Sequence, residues 1–377
     1  MPPTKHLVLI DSKFPTPSHG CLQIFRFANE RRGIKLVGPQ GREIRGLSTS
    51  AHTGAPTGAQ TSSQTASQGA YRFAVLTAIF IVLLMIAGAL VTSNQAADSI
   101  PDWPTACGLS TDHNTCLIPP MIGGIKFEFT HRVVAGTVSI LTLILAFLVT
   151  GTEKRPLAKR LAWTALVLVI CQAVLGGIRV LYRFPEVTAT AHAILAQIYF
   201  MTVVGLSLYL SPWWQRDLPM LDDNATPSAR GVATWTTAVI FVQLILGAAF
   251  RHEALGLTPH LIGAGAVTVM VVLTGIIIKK RFREVRDLRK AMIVLHSCFG
   301  IQILLGGWAM WAVQASQNEA QPTLAYVIPT VAHVIGGALT FAASLIVTLA
   351  CYRLIRPPVA IAAGSTQGAQ GAQGAKA

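Results

Sequence analysis

Eight long apolar segments dominate this 377-residue sequence and leave it few possible folds. Hydrophobic residues make up 52% of the chain and charged residues only 12%, which lies outside the range of soluble globular domains. A helix needs about 20 apolar residues to cross a bilayer core of about 30 Å, and each segment is about that long. We therefore predict an all-α membrane protein with eight transmembrane helices, at about 73–93, 129–150, 161–180, 187–210, 231–250, 259–278, 291–313 and 325–351.

Basic residues are distributed unequally among the connections. The connections after the second, fourth and sixth predicted spans contain thirteen Lys or Arg, whereas those after the first, third, fifth and seventh contain three. Short connections rich in Lys and Arg stay on the inner side of the membrane. We therefore predict that both termini lie inside. The net charge of +14 is largely a topology signal and indicates no nucleic-acid partner.

The chain divides into four parts. Residues 1–70 are basic and low in complexity, residues 353–377 are rich in Gly, Gln and Ala, and we expect both ends to be disordered. The N-terminal extension is a targeting peptide, a solvated arm or the product of a start codon assigned too early. Residues 72–210 and 231–352 are predicted to form two pseudo-repeated four-helix bundles. The pattern Gln-x-x-Leu-Gly-small, in the third, fifth and seventh spans, indicates this duplication.

Four histidines lie near the same end of the four even-numbered spans: His131, His192, His260 and His333. Imidazoles are costly in lipid and are normally retained for function. Because haem iron takes two axial imidazoles, we predict two haem sites that pair the histidines within each half. Ala or Gly follows each histidine by four residues, either to admit a haem ring or to allow close helix packing. Zinc is the rival metal, and it would need further ligands.

Glu128 precedes His131 by three residues, which places the two side chains on one helix face. An acid beside a haem edge could move protons. The alternative is a carboxylate that stabilises the helix dipole.

Other polar residues are predicted at the same membrane face. Three arginines there are candidate contacts for haem propionates or, alternatively, interfacial anchors: Arg132, Arg179 and Arg251. Cys107 and Cys116 lie in the first external loop, where a disulfide would persist, although two free thiols are the alternative.

Together these motifs resemble the haem A synthase family, over roughly residues 72–352. The residues that carry the resemblance are Pro101-Asp-Trp-Pro104, Cys107, Cys116, Glu128-Phe-Thr-His131-Arg132, Gln172-Ala-Val-Leu-Gly-Gly-Ile-Arg179, Thr190-Ala-His192-Ala, Gln243-Leu-Ile-Leu-Gly-Ala-Ala-Phe-Arg251-His252, Pro259-His260 and Ala332-His333.

The resemblance implies a role for each half. His260 and His333 would ligate a haem b cofactor, His131 and His192 would hold the substrate haem o, and Glu128 would be the catalytic glutamate. The implied reaction oxidises the C8 methyl group of haem o to a formyl group, giving haem a for cytochrome oxidase. The implied partners are haem o synthase, an unidentified electron acceptor and membrane lipid. The implied location is the cell membrane of a bacterium, with the mitochondrial inner membrane as the alternative.

Two other functional classes remain open from the sequence. A dihaem b-type electron-transfer cytochrome or a haem carrier could use the same four histidines, because bis-histidine iron favours electron transfer. A structural or signalling membrane protein is the third class. The second half also departs from the resemblance, since the segment from Arg251 to Pro259 is too short for an external loop like that of the first half.

Overall fold

The computed structural model describes residues 58–106, 118–182 and 186–356, and its secondary structure is helical. The eight helices in these residues are each long and apolar enough to cross a membrane, which confirms the predicted number of spans. Their bounds are α1 Gly58–Ser93, α2 Ile125–Thr152, α3 Pro156–Tyr182, α4 Glu186–Leu210, α5 Ala229–Arg251, α6 Leu257–Arg281, α7 Arg286–Ala315 and α8 Leu324–Leu354.

Helix α1 begins at Gly58, well before the predicted first span. Residues 58–70 are therefore helical rather than part of the disordered extension that the sequence predicts. Adding residues to a helix that already exists is far cheaper than nucleating one, and this segment contains no proline to stop it. The remainder of the predicted extension, the end of the predicted tail, and both Cys107 and Cys116 lie outside the described residues.

Helices are the expected form because a backbone in lipid must satisfy its own hydrogen bonds. Several buried hydroxyl groups in the spans obey the same requirement. They donate to the carbonyl oxygen four residues earlier, as in Thr77 to Phe73, Thr142 to Val138, Ser207 to Val203 and Thr236 to Val232. These polar residues therefore add no unsatisfied group to the apolar core.

The helices pack in two sets that share one pattern of contacts. Helix α1 contacts α2, α2 contacts α3, α3 contacts α4, and α4 returns to α1. Helices α5 to α8 repeat this closed ring, with α8 returning to α5. The two sets meet where α1 and α4 contact α8 and where α4 contacts α5. We call helices α1 to α4 the first half and helices α5 to α8 the second half.

The two ends of the bundle differ in character. We call the end where the even-numbered helices begin the histidine end, and the other the opposite end. At the histidine end, Ser93 of α1 and Thr330 of α8 share a hydrogen bond of 2.9 Å. The guanidinium of Arg251 donates to the Ser93 hydroxyl at 2.7 Å and to the carbonyl of Ala89 at 3.1 Å. These polar contacts join the two halves.

At the opposite end, the connection between the halves is fixed by Asp223. This carboxylate is buried and accepts hydrogen bonds from the Ala229 amide at 2.6 Å and from the Arg281 guanidinium at 3.2 Å. It therefore satisfies an open amide at the start of α5 and ties that helix to the end of α6. The connection also pairs with the end of α8 through backbone bonds of Leu221.

Substitution of Asp223 by Ala should destabilise the protein by about 1–3 kcal/mol, because it leaves buried donors without a partner. Asp222→Ala is the matched control: Asp222 pairs with Arg356 on an exposed surface, and such pairs contribute about 0–1 kcal/mol. Denaturant unfolding of the purified protein in detergent measures both. Equal losses from the two substitutions would contradict the structural role of Asp223.

Candidate functional site

The four predicted histidines form one layer at the histidine end. Each lies three to nine residues after the first residue of its helix. At about 1.5 Å per residue, this spacing places all four within about 4–14 Å of the helix starts.

Each imidazole lies against a glycine of the preceding helix. A Cβ atom at each glycine would approach the Cε1 atom of the facing ring: 3.1 Å for Gly88 and His131, 3.4 Å for Gly176 and His192, 2.8 Å for Gly247 and His260, and 3.0 Å for Gly306 and His333. Contacts under about 3 Å would force the ring to move. The absence of a side chain therefore lets the imidazoles reach the neighbouring backbone.

The backbone beside each ring belongs to the residue four positions before the glycine. These residues are Leu84 for His131, Gln172 for His192, Gln243 for His260 and Gln302 for His333. Each imidazole therefore packs against the backbone of the preceding helix.

Three of these positions add a glutamine side chain. The Nε2 atoms of Gln243 and Gln302 each lie 3.1 Å from Nδ1 of their histidine, and Gln243 also donates to the His260 carbonyl at 2.9 Å. Gln172 donates to the His192 carbonyl at 3.1 Å. The Gln and Gly residues of the repeated Gln-x-x-Leu-Gly pattern thus contact three of the histidines. The sequence analysis did not predict this role.

The second-half rings have a spacing that suits one metal ion between them. The ring centroids of His260 and His333 are 6.2 Å apart, with the planes at 88°. Two imidazoles bound to one iron from opposite sides should have centroids about 6 Å apart, since each nitrogen–metal bond is about 2 Å. The structure thus brings His260 and His333 together. The pairing of His131 with His192 stays a prediction.

The surroundings of the rings fit haem better than zinc. The Nδ1 atoms of His131 and His192 are buried and reach no hydrogen-bond partner, which is costly unless another group restrains the rings. In residues 58–106, 118–182 and 186–356, no three His, Cys, Asp or Glu side chains converge as a metal cluster. Haem requires only the two imidazoles on its axis.

Glu128 is buried, with 4% of its surface exposed, at the mouth of the first half. One carboxylate oxygen accepts from the Ile100 amide at 2.9 Å, and the other accepts from Arg132 at 2.7 Å. Arg132 also donates to the carbonyls of Ile100, Asp102 and Thr105. Arg132 therefore fastens the first loop to α2, a role different from the predicted propionate contact.

The other two predicted arginines retain capacity for an anion. Arg179 donates to the Ala97 carbonyl at 3.3 Å and lies 4.0 Å from Asp98, and its buried Nε has no partner. Arg251 donates only to Ala89 and Ser93, and no carboxylate pairs with it in the part of the chain that the structure describes. Guanidinium groups suit carboxylates, so both fit the propionates of a haem.

Two further residues border the first-half site. His252 follows α5 but lies in the electrostatic field of Arg251, Arg179 and His192; burial, and then these neighbours, lower its pKa to about 4. The indole of Trp103 covers Gly177, where a Cβ atom would lie 2.6 Å from the ring. Trp103 is thus part of the loop that closes over α3. In the sequence, the paired glycines Gly176 and Gly177 were the available signal for this close approach.

Substitution of Gly247 by Ala should displace the His260 ring and weaken haem binding in the second half, because the new Cβ would lie 2.8 Å from Cε1. Gly176→Ala should be tolerated, since its 3.4 Å contact with His192 is ordinary van der Waals distance. Gly300→Ala, with nothing within 4 Å, is the control. Haem content and the Soret spectrum of each purified variant measure the effect. Equal haem loss in Gly176→Ala and Gly247→Ala would contradict this account of the glycines.

Comparison with known proteins gives consistent matches. The chain is 30% identical over 177 residues to the Heme A synthase of Symbiobacterium thermophilum, covering 45% of this chain and 55% of that protein. It is 32% identical over 191 residues to the Heme A synthase of Lysinibacillus sphaericus, covering 48% and 57%. The Heme A synthase of Alkalihalophilus pseudofirmus is 28% identical over 138 residues, covering 36% and 44%. The matched segments thus span about half of these relatives.

The model of the family described as cytochrome oxidase assembly protein matches residues 71–259, half of this chain. The match contains the part of α1 from residue 71 onward, helices α2 to α5, Glu128, His131 and His192, and it ends one residue before His260. The chain belongs to this cytochrome oxidase assembly protein family.

Proposed function

We propose that this protein is a haem A synthase, an oxidoreductase that converts the C8 methyl group of haem o to a formyl group. The observation that carries the proposal is an asymmetry between two otherwise similar imidazole pairs. Beside the first pair lies the buried carboxylate of Glu128, clamped under a loop, whereas only the short connections 252–256 and 316–323 lie at the same end of the second half. The names of the three relatives support the same activity.

In this proposal the second half holds a resident haem b between His260 and His333. The ring spacing of 6.2 Å supports this role, as do the Gln243 and Gln302 side chains that contact the two rings. Bound haem supplies one-electron transfer there. The protein contributes the orientation of the rings and an apolar shell that limits access of water.

The first half binds haem o as substrate. His131 and His192 orient the macrocycle, while Arg179 and Arg251 hold its propionates at the histidine end. Each of two hydroxylations replaces one C–H bond of the methyl group by a C–OH bond with oxygen from water, and releases two protons and two electrons. Glu128 accepts a proton, and the electrons pass to the separate acceptor. The resulting geminal diol loses water to give the formyl group. Glu128 is supported in this role by its burial close to His131, one helical turn away.

The setting follows from the same proposal. Haem o synthase supplies the substrate, and a separate acceptor takes the electrons. The protein lies in the cell membrane of a bacterium, with both termini inside; the mitochondrial inner membrane is the alternative location. The unequal distribution of Lys and Arg supports the orientation.

A dihaem electron-transfer cytochrome, or haem carrier, is the second candidate. The favouring observation is the His260–His333 pair, because iron with both axial positions filled suits electron transfer better than chemistry on oxygen. This candidate gives Glu128 only a structural task, as the anchor of the first loop.

Co-expression with a haem o synthase, followed by extraction and chromatography of the haems, separates these functions. Wild-type protein should yield haem a. Glu128→Gln retains an oxygen acceptor for the Ile100 amide but removes the negative charge. This variant should therefore form no haem a, while haem b stays bound. Glu128→Ala should also loosen the loop, measured by limited proteolysis.

Glu153→Gln is the control. This carboxylate lies at the opposite end, where the neighbouring Arg155 guanidinium lowers its pKa. Its substitution should leave haem a formation unchanged. Haem a at the wild-type level from Glu128→Gln would rule out a proton-accepting role for Glu128, and unchanged haem o from the wild type would favour the carrier.

A further inference from the structure

A groove of about 500 Å³ lies along the seam between the two halves, away from the four histidines. Its volume falls within the range of about 300–1,000 Å³ typical of small-molecule sites. Helices α3, α4, α5 and α8 all contribute walls, and the lining is almost entirely apolar. The central lining residues are Leu161, Gly205, Phe241, Phe341 and Leu345.

Gly205 makes room for this groove. A Cβ atom there would meet only Leu349 Cδ1, at 4.0 Å, so the space beside α4 is open. Opposite it, Phe241 of α5 and Phe341 of α8 stack with centroids 5.5 Å apart. The Thr202 hydroxyl in the lining is already bonded to the Ile198 carbonyl, and the other lining residue with a hydroxyl, Tyr209, lies at one end of the groove. An occupant therefore meets hydrocarbon and aromatic surface rather than free polar groups.

The groove ends in a polar mouth at the opposite end of the bundle. Tyr209 and Trp214 lie there, with ring centroids 5.6 Å apart. Tyrosine and tryptophan are enriched at the level of lipid headgroups. The mouth thus lies where a membrane lipid changes from chain to headgroup.

Two guanidinium groups flank this mouth. Arg155 lies 4.4 Å above the Tyr209 ring and pairs with Glu153. Arg353 is two turns beyond Leu345 on the same face of α8 and donates to the carbonyls of Trp214 and Arg216. No carboxylate pairs with Arg353 among the residues that the structure describes. The mouth therefore carries a cation whose charge is not neutralised.

From these observations we propose that the seam groove binds one anionic phospholipid. One acyl chain lies in the groove against Phe241 and Phe341, and the headgroup phosphate contacts Arg353 and Arg155. The lipid fills the gap that α4 leaves against α5 and α8, and so it joins the two halves at the end opposite to the Ser93–Thr330 contact.

The isoprenoid tail of haem o is the competing occupant, and the geometry disfavours it. The groove-facing residues of α4, including Ile198, Thr202 and Gly205, lie about a third of a turn from His192 around the helix. The residue on the His192 face is Tyr199, which is buried against Thr142 inside the first half. A tail leaving the first-half site would have to pass around α4 to reach the groove.

Native mass spectrometry of the full chain, purified in mild detergent, tests the proposal together with lipid extraction. The wild type should retain a phospholipid that is enriched in anionic headgroups. Gly205→Phe fills the groove and should lose it, whereas Gly300→Phe, on the membrane-facing surface of α7, should keep it. Arg353→Gln should shift the retained lipid from anionic to zwitterionic.

Haem content and elution profile establish that each variant is folded. If Gly205→Phe fails to fold, the test uses wild-type protein that is delipidated and then reconstituted with equal amounts of phosphatidylglycerol and phosphatidylcholine. After purification, this protein should retain only phosphatidylglycerol, the anionic lipid. Three results would overturn the proposal. The first is equal phospholipid retention in Gly205→Phe and Gly300→Phe, and the second is a wild type that shows no preference for anionic headgroups. The third is a Gly205→Phe protein that loses haem o but retains its phospholipid.

Discussion

The contact between an imidazole and the bare backbone of a glycine recurs four times, and the rest of the site depends on it. A histidine in an apolar bundle must find partners for its ring nitrogens, and neighbouring helices normally hold their backbones apart by side chains. Gly88, Gly176, Gly247 and Gly306 remove that separation. Each ring then packs against the backbone of the preceding helix. The ring orientation follows from helix packing, before any cofactor binds.

Much of this architecture could be predicted from the sequence, because membrane solvation acts on composition directly. The eight spans follow from hydropathy, and the position of the four histidines near the helix starts follows from helical rise. The role of the glycines could not be predicted, since it depends on which face of an odd-numbered helix meets the next. Arg132 illustrates a further limit: its position suggested a haem contact, and only tertiary structure shows that it binds three loop carbonyls.

The halves share a plan but differ where chemistry would require it. Both pair two imidazoles, yet only the first places a buried carboxylate and a clamped loop beside its pair. A resident cofactor can remain in a closed, symmetric binding site, whereas a substrate must enter its site, react and leave. The loop held by Glu128 and Arg132, with Trp103 over Gly177, supplies a cover at the site where exchange would occur. This difference supports the proposed division between a cofactor half and a substrate half.

Haem stoichiometry in paired substitutions tests most directly whether each half builds its own bis-histidine site. Purified His131→Ala/His192→Ala protein should retain the low-spin haem of the second half, with unchanged axial-ligand signals in electron paramagnetic resonance. His131→Ala/His260→Ala should perturb both sites, because it removes one ligand from each. Loss of all low-spin haem from the first variant would contradict the account.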